Sequence, residues 1–276
     1  MKIRFNVVIL TSVIVCLSCD SETEFESYEL KRGSDGIYYE YYSTSSDNDN
    51  RYTDNNSVYQ TGNHYSFDYC HIDQDGDSAH YHKEPMSKDW KFVPITDTNY
   101  QTVKRIVVEV QKGLSYFKDI ENYDQTVIRF YYVNNKNKWI DAGESGLIEN
   151  EQNIWMHPPR TSYLEILELA PFPYIQAPYE VGNTWAWSLD IGKQWGDERW
   201  ATWPGLLRNE YFYEISNYDL YETDFGSLYC YEITAIAKNE IGSTKLVSLF
   251  NFTHGFLNLE FTNINGTMTI LTLRNN

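Results

Sequence analysis

The chain has few basic residues and none of the common catalytic sequence signatures. Its 276 residues include 22 Lys and Arg against 39 Asp and Glu, which gives a formal net charge of −17 at pH 7. Because nucleic-acid binding relies on Lys and Arg that neutralise phosphates, this balance excludes a nucleic-acid partner. The sequence also has no phosphate-binding loop, no Gly-x-Ser-x-Gly elbow and no His-Glu-x-x-His motif. These absences favour a non-catalytic protein without excluding an enzyme.

The apolar run near the start of the chain is too short to cross a bilayer, which needs about 20 residues. This run, residues 5–17, follows Lys2 and Arg4 and leads into Ser18-Cys19, which resembles a bacterial lipobox. We therefore predict that residues 1–18 are a lipoprotein signal peptide. Acyl chains on Cys19 would then anchor the protein in the outer membrane, on its periplasmic or cell-surface face. An ordinary secretory signal is the alternative.

The residues after the predicted signal are acidic and polar. Residues 19–35 have little apolar surface to bury, so they are predicted to form an acidic tether. A β-rich domain is expected over residues 36–276, either as one unit or as two subdomains that meet near residues 150–178.

Cysteine is scarce beyond the predicted lipidation site. Only Cys70 and Cys230 remain after Cys19. The sequence is compatible with a disulfide between them and with two unpaired thiols, because spacing alone does not show whether they meet.

Alternating apolar and polar residues and frequent turn signals predict a mainly β protein. Residues 209–273 form a meander of strands separated by turns that contain glycine, the last at Asn265-Gly266. Residues 98–112 are expected to be a helix packed across the sheet, although their β-branched content favours a strand as the alternative. Residues 163–170 are expected to be a strand. The predicted fold is a strongly curved antiparallel meander, or half-barrel.

Four carboxylates have the spacing of a calcium-binding loop. Asp73, Asp75, Asp77 and Glu84 occupy positions one, three, five and twelve, where such a loop supplies oxygen ligands. Ser78 stands at position six, where glycine allows the sharp turn. A calcium site and a plain acidic turn are therefore both open interpretations, and no other cofactor is expected.

Two consecutive prolines follow His157. Because Pro158 and Pro159 fix the backbone, they could aim His157 and Arg160 into a cleft as ligand-binding side chains. A rigid corner with a solvated arginine is the alternative.

Tryptophan is concentrated in residues 173–205, which hold five of the eight. Trp185 and Trp187 alternate with polar residues, which predicts a half-buried strand with both indoles on the core face.

A loop after this strand holds Trp195, Asp197, Trp200 and Trp203. The three indoles either close one end of the sheet or form an exposed platform. Because sugars stack on exposed rings, a surface lipoprotein that binds or hydrolyses glycans is the alternative function. Hydrolysis would require Asp197 to face a carboxylate from elsewhere in the chain.

The C-terminal part, residues 175–273, resembles TapB-like periplasmic domains. The resemblance rests on Pro178, Gly182 and Trp185, followed by the segments at 226–231 and 254–259. The motifs at 155–160 and 195–200 resemble segments of lipoproteins from Bacteroidetes-type bacteria. These lipoproteins have no established activity. The resemblance implies a strongly curved antiparallel sheet, similar to the half-barrels of lipoprotein carriers, and it carries over no catalytic residue.

These patterns together predict a lipid-anchored, non-catalytic envelope protein. It is expected to bind an apolar ligand or a partner protein on a concave aromatic sheet, and to meet the membrane through its N-terminal acyl chains.

Overall fold

The computed structural model describes residues 28–42, 55–87, 89–111 and 125–275. The predictions for the signal peptide, for acylation of Cys19 and for residues 19–27 of the tether lie outside these ranges. Among the described residues, no helix combines the length and the apolar character that crossing a membrane requires.

Within these ranges the chain forms sixteen strands and two 3-10 helices. The helices are Ser162–Leu169, between the ninth and tenth strands, and Lys193–Trp195, between the eleventh and twelfth. In chain order the strands are β1 (Tyr28–Arg32), β2 (Tyr38–Tyr42), β3 (His64–Ile72), β4 (Ser78–Lys83), β5 (Trp90–Pro94), β6 (Arg105–Gln111), β7 (Thr126–Val133), β8 (Trp139–Glu149), β9 (Asn153–Met156), β10 (Tyr174–Gln176), β11 (Thr184–Gly192), β12 (Leu206–Thr223), β13 (Gly226–Asn239), β14 (Gly242–Asn251), β15 (Gly255–Thr262) and β16 (Met268–Arg274).

Strands β3 to β16 form one antiparallel sheet, which confirms the predicted fold class. Its order is β10-β9-β8-β7-β6-β3-β16-β15-β14-β13-β12-β11, and β4 pairs with β3 and β5 off this path. The edge strands β10 and β11 approach each other, because the ring of Tyr174 lies 5.6 Å from that of Trp185. The sheet is therefore strongly curved and nearly closed. Strands on both sides of residues 150–178 belong to it.

Alternation along the strands places the core on the concave face. In β12 every second residue from Leu207 to Ile215 is buried, and the residues between them are exposed. Many of the fully buried side chains are aromatic, including Tyr132, Phe172 and Tyr211. Burying such a side chain contributes roughly 1.5 to 3 kcal/mol to the stability of the fold.

The strand that contains Trp185 and Trp187 confirms the prediction for these two residues. Both indoles are buried in the core. The Trp187 ring stacks on Tyr211 at 4.3 Å, and its Nε1 donates a hydrogen bond of 3.0 Å to the hydroxyl of Tyr213.

Two predicted elements are wrong. Residues 105–111 form strand β6, not a helix, with Ile106, Val108 and Val110 buried in the alternation of a strand. Residues 162–169 form a 3-10 helix, not a strand. Seven of its residues are buried, so its sequence shows no polar face from which a helical period could be read.

The ordered chain begins earlier than predicted. Strand β1 lies inside the range expected to be a tether and pairs with β2 in a separate two-stranded sheet. The connection and the start of β2 contact the large sheet at the edge strand β11 and at β9, which is next to the other edge. The backbone N–H of Ser188 on β11 donates to the carbonyl of Asp35, and that of Tyr38 donates to Oδ1 of Asn153 on β9. These contacts explain why polar residues are ordered here.

Cys70 and Cys230 are both free thiols. They lie on β3 and β13, which three other strands of the sheet separate.

Candidate functional site

A pocket of about 390 Å³ opens at the end of the sheet where β3 and β15 finish. Side chains from five separate parts of the chain line it, so no single motif encodes it. The lining residues are His71, Trp90, Lys91, Phe92, Tyr163, Ile166, Arg199, Trp200, Asn263, Asn265 and Thr267.

Four aromatic rings form one wall. The ring of Phe92 on β5 stacks on His71 at 3.8 Å and meets Tyr163 edge-on at 5.2 Å. The indole of Trp90 lies 5.7 Å from Tyr163 and is nearly parallel to Trp200 at 6.4 Å. Because these rings contact each other, their faces are held in place before any ligand arrives.

Three buried polar atoms of the lining residues have no hydrogen-bond partner among the described residues. They are Nδ1 of His71, the hydroxyl of Tyr163 and Oδ1 of Asn263, and all three residues are more than nine-tenths buried. Burial lowers the pKa of His71 to about 4, and Asp73 opposes the shift only in part, so the imidazole is neutral at pH 7. An unpaired buried polar atom is costly to the fold.

The loop that follows β11 closes the pocket from the side. Arg199 donates two hydrogen bonds to the carboxylate of Asp197, at 2.8 and 2.6 Å. This contact lowers the pKa of Asp197. The guanidinium carbon of Arg199 also lies 3.9 Å from the ring centroid of Trp90. Asp197 thus holds Arg199 against Trp90.

His157 and Arg160 do come together, on the other side of the 3-10 helix. Nη1 of Arg160 lies 3.3 Å from Nδ1 of His157 and donates to Oε1 of Glu168 at 3.2 Å. Burial, with Arg160 beside it, lowers the pKa of His157 well below its usual range. Burial raises the pKa of Glu168, and Arg160 opposes that shift. The guanidinium of Arg160 also lies 5.5 Å from the ring centroid of Trp195.

The three loop tryptophans have different environments. Trp203 is buried in a small cluster with Leu169, Ile191 and Leu207. Trp195 and Trp200 are half-buried, and Nε1 of Trp200 donates to the carbonyl of Trp195 at 3.2 Å. They do not form a platform of three exposed rings.

The four predicted calcium ligands do not converge. Asp73, Asp75 and Asp77 lie in the turn between β3 and β4, where Oδ1 of Asp73 accepts the N–H groups of the other two at 2.9 Å. Glu84 follows the opposite end of β4, about 20 Å away at the rise of a strand, and pairs with Lys91. No group of three His, Cys, Asp or Glu among the described residues could hold a metal ion.

Sequence patterns do not reveal most of the pocket. Trp90, Phe92 and Asn263 carry no motif, and Tyr163 was expected on a strand. Trp90 and Phe92 alternate within a five-residue strand, which is too short a signal to distinguish a ligand-binding wall from a core face.

No family model matches the chain, and no curated protein matches its sequence. One similar solved structure is a protein of Bacteroides fragilis described as exported and as having a YmcC-like fold. It is 11% identical, has a TM-score of 0.38 and covers 78% of this chain and 95% of its own. Another is a protein of Parabacteroides distasonis described as a lipoprotein. It is 8% identical, has a TM-score of 0.39 and covers the same shares.

Both similar structures come from the bacterial group whose lipoproteins the sequence motifs resemble. Neither is a TapB-like domain, so the comparisons do not support that resemblance. At these TM-scores the similarity carries no argument about the site, which rests on the side chains described above.

Proposed function

We propose that the protein is a lipid-anchored, non-catalytic protein of the outer membrane that binds a small, mainly apolar ligand in the aromatic pocket. The observation that carries this proposal is the pocket wall of Trp90, Phe92, Tyr163 and Trp200. Its volume is at the lower end of the range for small-molecule sites, about 300 to 1,000 Å³.

The polar atoms of the pocket define the ligand further. Rings cover most of the wall, so the body of the ligand is flat and apolar. Lys91 and Asn265 place polar side chains at the same pocket, so one end of the ligand is polar. The interior of the sheet is packed with the protein's own aromatic rings, which is why we place the ligand at the end of the sheet instead of along its concave face.

A neutral fluorescent probe tests the pocket. N-phenyl-1-naphthylamine is apolar and small enough for this volume, and we expect saturable one-to-one binding. Trp90→Ala and Trp200→Ala should each weaken binding about tenfold or more, as is usual for central aromatic contacts. Phe212→Ala, at an exposed ring on β12, is the matched control and should bind like the wild type. Absence of saturable binding, or equal loss in the control, contradicts the proposal.

The anchor is tested separately. Cells that express the full chain are labelled with palmitate, with and without globomycin. We expect label on the wild type and none on Cys19→Ala. If the wild-type protein is unlabelled and released to the medium, the prediction of a lipid anchor is wrong. The proposal for the pocket is not affected by that result.

Glycan binding through the tryptophan loop is the weaker candidate. A sugar needs an open ring face, whereas Trp203 is buried and the guanidinium of Arg199 lies against Trp90 beside Trp200. The loop is therefore better suited to forming a wall of the pocket than to binding a sugar.

A further inference from the structure

A second depression, separate from the aromatic pocket, lies on the outer, convex face of the sheet. It is a groove of about 470 Å³ across β3, β6, β7 and β8. Its residues alternate with the core residues of the same strands, since Val107 and Tyr131 flank the inward-facing Val108 and Phe130.

Trp139 is the dominant side chain of this groove. It is 68% exposed, the largest exposed fraction of any described tryptophan. Its indole lies over the ring of Tyr131, with centroids 4.4 Å apart and planes tilted by 30°. Tyr131 covers one face of the indole, so the other face is open to solvent.

The turn before Trp139 is held in one conformation. Oδ1 of Asn134 accepts the backbone N–H groups of Lys136 and Lys138, at 2.9 and 3.0 Å. Asn137 has a φ of 56°, and its side-chain oxygen accepts a hydrogen bond from Arg105. A fixed turn next to the indole lowers the entropy lost when a ligand binds to it.

Polar groups surround the indole at short range. Glu109 accepts a hydrogen bond of 2.7 Å from the hydroxyl of Tyr131 and lies 3.9 Å from His64. Ser66 lines the floor of the groove. It is only 2% exposed, and its hydroxyl has no hydrogen-bond partner in the described part of the chain. This hydroxyl is closed to solvent, so the polar groups that a ligand can reach are the side chains around it.

The charges of the groove nearly cancel, unlike those of the whole chain. Arg105 balances Glu109, and Arg129 next to the groove pairs with Glu144. The chain as a whole carries a net charge of −17. A neutral ligand therefore suits this surface, whereas an anionic ligand meets long-range repulsion.

We propose that this groove is a binding site for a neutral glycan. The open indole face of Trp139 packs against the axial C–H groups of a pyranose ring, which are attracted to the negative face of an aromatic ring. Arg105, Asn137 and Glu109 have planar side chains that bond to neighbouring hydroxyl groups. An open groove accepts an internal segment of a chain, so an oligosaccharide fits better than a single sugar.

Titration calorimetry with neutral hexasaccharides tests the site. The probes are cellohexaose, xylohexaose, mannohexaose and laminarihexaose. We expect at least one to bind saturably, and Trp139→Ala to weaken that binding about tenfold or more. Trp139 is largely exposed, so its variant should melt like the wild type.

Controls separate this site from the pocket. Phe212→Ala should leave glycan binding unchanged, and Trp139→Ala should leave binding of the naphthylamine probe unchanged. The proposal is overturned if none of the hexasaccharides binds, if Trp139→Ala retains wild-type affinity, or if binding is lost in Trp200→Ala instead. Stronger binding of an anionic chain such as oligogalacturonate would overturn the assignment to neutral glycans.

Discussion

The guanidinium carbon of Arg199 lies 3.9 Å above the ring of Trp90, although the two residues are 109 positions apart in the sequence. The contact joins the loop after β11 to strand β5, which pairs with β4 at the side of the sheet. Asp197 holds the same guanidinium by two hydrogen bonds. One arginine thus fixes the position of two walls of the pocket relative to each other.

Replacing this arginine should affect binding more than folding. Arg199→Met keeps an apolar side chain of similar length and removes both the ion pair and the cation–π contact. Because the side chain is 45% exposed, we expect a loss of stability within about 1 kcal/mol. Affinity for the naphthylamine probe should fall several-fold, as measured by fluorescence titration. Arg208→Met, at another exposed ion pair, is the control. Equal affinity in both variants would show that the walls do not depend on Arg199.

Truncating Trp187 should unfold or strongly destabilise the protein. Its indole is buried, stacks on Tyr211 and bonds to Tyr213. Removing a core tryptophan costs about 3 to 5 kcal/mol, a large part of the roughly 5 to 15 kcal/mol of a domain. Trp139→Ala is the matched control, because that indole is exposed. Denaturant unfolding of both variants measures the difference, and similar midpoints would mean that Trp187 is not a core residue.

The structure also changes the expectation for Trp203. The sequence places it in a loop, where truncation is expected to leave the protein folded. The indole is in fact buried, and its Nε1 donates to the carbonyl of Ile191 at 3.1 Å. Trp203→Ala should therefore be destabilising as well, by less than Trp187→Ala because its cluster is small.

Local periodicity accounts for what could be predicted from the sequence. Strands β12 to β16 follow each other with short turns and one buried face, so alternation and glycine turns are sufficient to find them. Segments without a polar face were misassigned. In Ser162–Leu169 nearly every side chain is buried, and in β6 the half-buried Val107 completes a false helical pattern.

The pocket could not be predicted for a different reason. His71, Tyr163 and Thr267 meet only because β3 pairs with β16 and the 3-10 helix packs beside them. Such pairing joins parts of the chain about 200 residues apart, and no local pattern encodes it. His157 and Arg160 stand out in the sequence because two prolines lie between them, but a ligand-binding role for them stays a prediction.

His71 should make the protein sensitive to acid. Unfolded histidine takes up a proton near pH 6.5, whereas burial lowers the pKa of His71 in the folded state to about 4. As pH falls from 6.5 to 4, the unfolded state binds the proton before the folded state does. The free energy of unfolding therefore falls, by roughly 2 to 3 kcal/mol at pH 4. His71→Phe keeps a ring stacked on Phe92 and cannot titrate. Its stability should fall less than that of the wild type between pH 6.5 and 4 in denaturant titrations. If the stabilities of the wild type and of His71→Phe fall equally with pH, His71 does not contribute to the acid sensitivity.

Arg160 should be needed chiefly to neutralise Glu168, whose side chain is only 3% exposed. Arg160→Met leaves a buried carboxylate without its cation, so we expect a loss of about 2 to 4 kcal/mol at pH 7. The double variant Arg160→Met with Glu168→Leu should regain much of this stability, because no buried charge remains.

Lower pH should also stabilise the single variant Arg160→Met. Burial raises the pKa of Glu168, so the folded state binds a proton more readily than the unfolded state, and stability rises as pH falls. Denaturant unfolding of all three proteins at pH 7 and pH 5 measures both effects. A double variant no more stable than Arg160→Met would mean that Arg160 acts through its contact with Trp195 instead.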